Sequence, residues 1–172
     1  MTVSVRLLGA EEARSLRPAL AEILADCVAG GASISFMSPF TPEAAAEWWG
    51  SVIDAVGAGR IALLGAFDDG HLVGSAQLGL EFPENQRHRA EVKKVIVHRR
   101  ARGRGVATAL MAALDAEARR RGRTLLTLDT ATGSDAERLY ERLGWSRVGI
   151  IPNQALWPDG RPCDATLFWK TP

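Results

Sequence analysis

Gly103 and Gly105, flanked by Arg100, Arg102 and Arg104 and preceded by the β-branched run Val95-Ile96-Val97, are the residues best placed to do chemistry in this chain. A strand, a basic glycine loop and the first turn of an amphipathic helix follow one another there, and that order builds an anion site. Glycine lets the backbone turn tightly with no Cβ in the way, and the N–H groups of residues 103–108 at the helix start lack an intrahelical acceptor. The partial positive charge of the helix N-terminus favours a phosphate, and the three arginines add full charges. A solvated arginine-rich turn, with glycine used only for geometry, would read the same from the loop alone.

Two familiar phosphate loops are excluded. A Walker loop needs Lys-Ser/Thr after its last glycine, but Val106-Ala107 follow Gly105, and the dinucleotide pattern needs glycine where Thr108 stands. The segment Arg102-Gly103-Arg104-Gly105-Val106-Ala107 instead resembles motif A of the GCN5-related N-acetyltransferases, Arg/Gln-x-x-Gly-x-Gly/Ala. The Arg100 frame also fits the pattern. The Arg102 frame is preferred because it puts the last small residue inside the helix at the family's usual spacing from the strand.

The loop must be held by the elements around it. At 172 residues, 47% hydrophobic, the chain is long enough for one substantial core, and a single domain over residues 1–172 is expected. Lysine plus arginine number 21 against 20 acidic residues, so a net charge of +1 gives no reason to expect nucleic acid or an anionic membrane as partner. Cys27 and Cys163, far apart and without a signal peptide, read as reduced thiols of a cytoplasmic protein, and neither a metal site nor a membrane-spanning run is visible. A homodimer is compatible with the sequence, which does not fix an oligomeric state.

Val3, Val5 and Leu7 alternate as in a half-buried strand, and Ala10-Glu11-Glu12 opens a helix with Leu16, Leu20, Ile23, Leu24 and Cys27 at helical spacing. Gly30-Gly31 ends it. Thr41-Pro42-Glu43 starts a second helix over 42–56. Strands are expected at 61–67 and 71–81, joined by the Asp68-Asp69-Gly70 turn, and at 89–97, feeding the glycine loop. A long helix follows, with Val106, Leu110, Ala113 and Leu114 on its stripe and Gly122 at its stop. Then come a strand at 125–130, a short helix at 134–143, and strands at 145–151 and 163–169.

That order, βααβββαβαββ, is that of the acetyltransferase family named above. The resemblance implies an α/β acyl-CoA N-acyltransferase fold: a mixed, mostly antiparallel sheet flanked by about four helices, its central strands splayed at the cofactor site. Segments 30–33, 85–97, 128–130 with Gly133-Ser134, and 147–149 with Pro152 and Pro158-Asp159-Gly160-Arg161 resemble the tabtoxin-resistance acetyltransferases closely. Acetyl-CoA is thereby implied as cosubstrate, with no metal, and a small amine as acceptor: an amino-acid-like metabolite, a toxin or an antibiotic.

The site follows from the same resemblance. The backbone of Val95, Ile96 and Val97 would pair with the pantetheine arm and offer one N–H near the thioester oxygen. The N–H groups of Gly103, Arg104, Gly105, Val106, Ala107 and Thr108 would hold the pyrophosphate, and Arg102 and Ser134 would also bind the cofactor. Glu91 is the expected general base, direct or through water, and pairing with Arg89 or Lys93 is its structural alternative. Asp129 is expected to anchor the acceptor's ammonium, or else to cap the following turn. Tyr140, the only tyrosine, is expected to donate a proton to the CoA thiolate, against ordinary core packing. Phe36, Trp48, Trp49 and Trp157 are expected to wall the acceptor pocket, with core packing as the alternative for at least two. His98 and His88 are read as surface residues near the cofactor phosphates.

Two positions depart from the family's pattern: His98-Arg99 where proline often follows the strand, and Gly133 where an asparagine often contacts the arm. Two other functions remain open. The chain would acetylate a protein N-terminus or lysine if the site were an open acidic groove. It would be a non-catalytic acetyl-CoA-binding module if Glu91 and Tyr140 were far apart.

Overall fold

The computed structural model describes residues 3–172. Its strands and helices are β1 (Val3–Leu8), α1 (Ala10–Ser15), α2 (Arg17–Ala29), α3 (Pro42–Gly57), β2 (Ile61–Asp68), β3 (His71–Gly79), β4 (Arg89–Val97), α4 (Val106–Arg120), β5 (Leu125–Ala131), α5 (Asp135–Arg142), β6 (Ser146–Leu156) and β7 (Pro162–Lys170). The seven strands form one sheet in the order β1-β2-β3-β4-β5-β7-β6. Every neighbouring pair is antiparallel except β4 and β5.

Three expectations are corrected in detail. The single helix expected from Ala10 is two, parted at Leu16, because Pro18 has no N–H for a helix interior and sits in the first turn of α2. Among the described residues the α-helices therefore number five. Strand β6 runs to Leu156 instead of stopping near Ile151, since β7 offers it a pairing edge as far as Pro162. Strand β3 ends at Gly79, short of the expected Glu81.

Two apolar layers sandwich the sheet. On one face α4 and α5 bury Val106, Leu110, Leu114 and Tyr140 against Leu64, Leu128 and Phe168. On the other, Leu20, Leu24, Trp49 and Ile53 from α2 and α3 meet Leu63, Phe67 and Ile96. Close approach sets the start of α4: a Cβ on Gly74 of β3 would lie 2.9 Å from the Ile96 carbonyl oxygen and 3.2 Å from Val106 Cγ1. Glycine there lets the helix N-terminus sit directly against the end of β4.

Strands β4 and β5 share only three register pairs, Arg89–Leu125, Ala90–Leu126 and Glu91–Thr127. Beyond Glu91 they diverge, so the later half of β4 has a hydrogen-bonded neighbour on the β3 side alone. This is the splay that the family resemblance implies. The β4–β3 ladder is itself irregular, with a bulge between Ser75 and Gln77 where Lys94 adopts a φ of +48°.

Trp49 belongs to the core and not to a pocket wall. It is fully buried, and its indole N–H donates to the Leu20 carbonyl at 2.9 Å, tying α3 to α2. Trp49→Ala should cost about 3–5 kcal/mol of stability, read from the urea unfolding midpoint, whereas Trp48→Ala, whose ring is only partly buried, should cost clearly less.

Candidate active site

The divergence of β4 and β5 opens a groove of about 870 Å³. Val95, Ile96 and Val97 form one wall, Thr130, Ala131 and Gly133 the other, and the glycine loop closes one end. The free edge of β4 can accept an extended ligand as an added strand. One of its groups is already engaged, because the Val97 carbonyl accepts from Arg102 Nε at 3.1 Å and from Cys27 Sγ at 3.5 Å.

At the loop the backbone is committed to a ligand-ready shape. Gly103 and Gly105 have φ of +72° and +78°, and Gly105 caps α4 with no side-chain hydrogen bond. The amides of Val106, Ala107 and Thr108 therefore open the helix with no intrahelical acceptor. No protein atom lies within 4 Å of where a Cβ would stand on either glycine. Both glycines therefore border open space at the helix start.

The arginines do less than their number suggests. Arg104 pairs with Asp68 at 2.8 Å, Arg100 with Glu22 at 3.3 Å, and Arg99 binds Asp26, which also accepts the Arg99 backbone N–H at 2.9 Å. The expected full charges of Arg100 and Arg104 are thus matched by acids on α2 and β2. Arg104 does not line the groove through its side chain, although its peptide is part of the loop. Arg102 lines the groove but also braces Val97 and Cys27. His98, expected near the phosphates, faces α2, with Nε2 3.5 Å from Glu22. Arg138 and Arg142 of α5, which sequence reasoning missed, line the groove instead. Their helical spacing gave no signal beyond a solvated face.

The far rim is fixed by Glu137. Its carboxylate accepts from Thr166 Oγ1 at 2.7 Å and from the Gly133 N–H, while Ser134 Oγ accepts from the Glu137 N–H at 3.2 Å. Burial raises the Glu137 carboxyl, but these hydrogen bonds and the neighbouring Arg147 hold it below the ordinary glutamate value. Ser134 lies at the groove, with its hydroxyl committed to capping α5.

Tyr140, on α5, borders the same groove and is 6% exposed, its ring packed 6.1 Å from both Trp145 and Phe168. Burial, aided by the negative charge of Asp129, pushes its phenol up to about 12. Asp129 is exposed on β5, and its charge acts on both Tyr140 and Lys94. Glu91 stands where the strands begin to part, with Oε2 3.2 Å from Lys93 Nζ, so one of its two oxygens is engaged. Phe36 and Trp48 meet edge to face at 5.2 Å, and Trp157 lines the groove. Lys94, absent from the sequence-based site, reaches these aromatics: Nζ lies 5.7 Å from the Phe36 ring and 5.9 Å from that of Trp48. Burial and the Lys93 charge hold its ammonium below the ordinary lysine value, against the opposing influence of Asp129 and Glu91.

Among the described residues, no group of three or more His, Cys, Asp or Glu could hold a metal ion, and no helix is long and apolar enough to cross a membrane.

A mixed sheet parted at its centre, with a glycine loop at the helix start beside the parting, defines the acyltransferase fold. Residues 19–145 match the acetyltransferase (GNAT) family, and the chain belongs to it. It is similar in structure to a ribosomal-protein-alanine N-acetyltransferase from Brucella melitensis, with 27% identity, a TM-score of 0.81, and 98% of this chain and 99% of that one covered. A similar fold is that of yncA from Salmonella typhimurium, solved with its cofactor acetyl-CoA, at 22% identity, TM-score 0.80 and coverage of 99% and 94%. A GNAT superfamily phosphinothricin acetyltransferase from Sinorhizobium meliloti, in complex with acetyl-CoA, matches at 20% identity, TM-score 0.79 and coverage of 99% and 89%.

The left-handed loop carries a testable cost. Gly105→Ala should destabilise the fold by about 1–2 kcal/mol although its Cβ meets nothing, because an L-residue is strained at that φ. Gly149→Ala, equally uncrowded but without positive φ, should be neutral or slightly stabilising in the same denaturant titration.

Proposed function

We propose that this single-domain protein transfers the acetyl group of acetyl-CoA to the amine of a small molecule, an amino-acid-like metabolite, toxin or antibiotic. The observation that carries the reading is the β4–β5 gap itself, which joins the amides at Gly103–Gly105 to a groove bordered by Tyr140, with Glu91 where the strands part and Asp129 on the strand across the gap. The loop suits a pyrophosphate, since the helix-start amides have no side-chain cap and the two glycines border open space. The cosubstrate, when bound, supplies an acetyl group activated as a thioester.

The chain's own residues do the rest. Amides at 103–108 hold the diphosphate, with Arg102 beside it, and the free edge of Val95–Val97 orients the arm and directs one N–H at the thioester oxygen, with Ser134 as a further cofactor contact. Asp129 attracts the acceptor's ammonium and Glu91 takes its proton, directly or through water, leaving a neutral amine to attack. Tyr140 keeps its proton through the physiological range and gives it to the departing thiolate. Two protons leave the ammonium nitrogen in all: Glu91 passes the first to solvent, and the second, lost as the amide forms, replaces the one Tyr140 gave to the thiolate. Phe36, Trp48 and Trp157 wall the acceptor side.

The likeness to tabtoxin-resistance enzymes supports a toxin-sized acceptor. The 27% identity to a ribosomal-protein-alanine acetyltransferase favours a second reading, acetylation of a protein N-terminus. The two part on the substrate: release of CoA thiol with free amines supports the first, and release only with a peptide or protein bearing a free N-terminus supports the second. Edge strand β6, with Val148, Ile150 and Ile151 exposed, supports a homodimer. Two buried free thiols, Cys27 and Cys163, suit a cytoplasmic location.

Gly105→Val should raise the acetyl-CoA dissociation constant about tenfold or more in isothermal titration. Unchanged affinity in the folded variant removes the loop from the cofactor site. Tyr140→Phe should lower kcat about 10²-fold with little change in acetyl-CoA affinity. With the phenol at about 12, Tyr140 stays protonated as pH rises, so wild type should show no loss of kcat from this group below about pH 11. Glu91→Gln should depress turnover most near neutral pH and less at alkaline pH, where more acceptor amine is already neutral. Asp129→Asn should instead raise the acceptor KM. Wild-type pH profiles and KM in both variants remove the two carboxylates from the reaction.

A further inference from the structure

Lys94 is in an unusual backbone state and an unusual electrostatic one. It lies at the bulge of β4 with φ of +48°, and its Nζ donates to Ser35 Oγ at 2.9 Å. Ser35 is itself non-glycine with φ of +80°. Two strained residues, one on the strand and one on loop 30–40, thus hold one ammonium in place, and such strain persists only where the surrounding structure fixes it.

An ammonium carries three donors. Among the described residues Ser35 Oγ is the only hydrogen-bond acceptor for Lys94 Nζ, and no carboxylate lies within 4 Å of it. The faces of Phe36 and Trp48 supply cation–π attraction on one side. A partly buried cation without an anionic partner is costly. Glu91 pairs with Lys93, and Glu91 and Asp129 act on Lys94 through their charge alone, without contact.

We infer that Lys94 is a specificity-determining residue that binds a carboxylate on the acceptor, so that the acceptor is a zwitterion whose ammonium faces Glu91 and Asp129 while its carboxylate faces Lys94, Ser35 and the Phe36–Trp48 wall. The sign pattern requires both charges. A carboxylate without an amine would meet two acids of like charge, and an amine without a carboxylate would leave the Lys94 ammonium unpaired. The inference rests on reading the β4–β5 cleft as the acceptor site.

The test compares L-leucine, L-glutamine and L-phenylalanine with their C-terminal amides, titrated calorimetrically into CoA-loaded protein. At least one free acid should bind about tenfold more tightly than its amide. Lys94→Gln should bring that pair within about twofold of each other, and Lys94→Arg, which keeps the charge, should restore part of the gap. Unchanged CoA affinity certifies that each variant is folded. Absence of a gap in all three pairs, or a gap that survives Lys94→Gln, overturns the inference. Acetylation of carboxylate-free amines as efficiently as of amino acids also overturns it while leaving small-molecule acetyl transfer standing. The broader reading fails separately if no small amine releases CoA thiol.

Discussion

Strands β4 and β5 hydrogen-bond through only three residue pairs, and the rest of the structure depends on that brevity. Had the parallel ladder continued past Glu91 and Thr127, the edge of Val95–Val97 would be satisfied and no groove would exist. The parting is maintained from both sides. On β4, the bulge at Lys94 breaks the regular register with β3, and α4 begins directly against the strand end through Gly74. On β5, antiparallel pairing with β7 from Leu126 to Ala131 draws the strand away, and Glu137 ties the turn beyond it to Thr166 of β7. The open edge is therefore a product of the fold's own pairing and not of a missing element.

Electrostatics within this frame are local. The glycine loop is crowded with arginine, yet Asp26, Glu22 and Asp68 engage Arg99, Arg100 and Arg104. Those ion pairs fasten the loop to α2 and β2, leaving backbone amides, Arg102 and the α5 arginines facing the groove. Only the Arg100–Glu22 pair is exposed on both sides, and such a pair contributes little stability by itself. The consequence of the three pairs here is geometric, since they fix where the helix start points. Around Glu91, Lys94 and Asp129 the signs alternate across a short span, which suits a ligand with both charges.

Much of this was legible in sequence because it depends on local chemistry. The order strand, glycine loop, helix follows from Val95–Val97, the two glycines and the stripe of α4, and the positive φ at Gly103 and Gly105 is what glycine at those positions allows. The alternative raised for Glu91, pairing with Lys93, could be named from two-residue spacing, and that contact is present. What escaped depends on tertiary context. Trp48 and Trp49 are adjacent on one helix and differ by about 100° in direction, so only the packing of α2 decides which is core. Arg104 and Asp68 are brought together by the sheet, with no sequence spacing to announce it. Lys94 is hardest of all, because a lysine in a charged strand reads as solvent-facing until the bulge turns it toward Ser35 and the aromatics.

The central claim is that one continuous surface, the free edge of β4 and the amides at the start of α4, receives acetyl-CoA. Amide hydrogen exchange with and without acetyl-CoA reads that surface directly. Slowed exchange concentrated in residues 95–97 and 103–108 is the expected result. Protection confined to other parts of the chain, or none at saturating acetyl-CoA, would contradict the account.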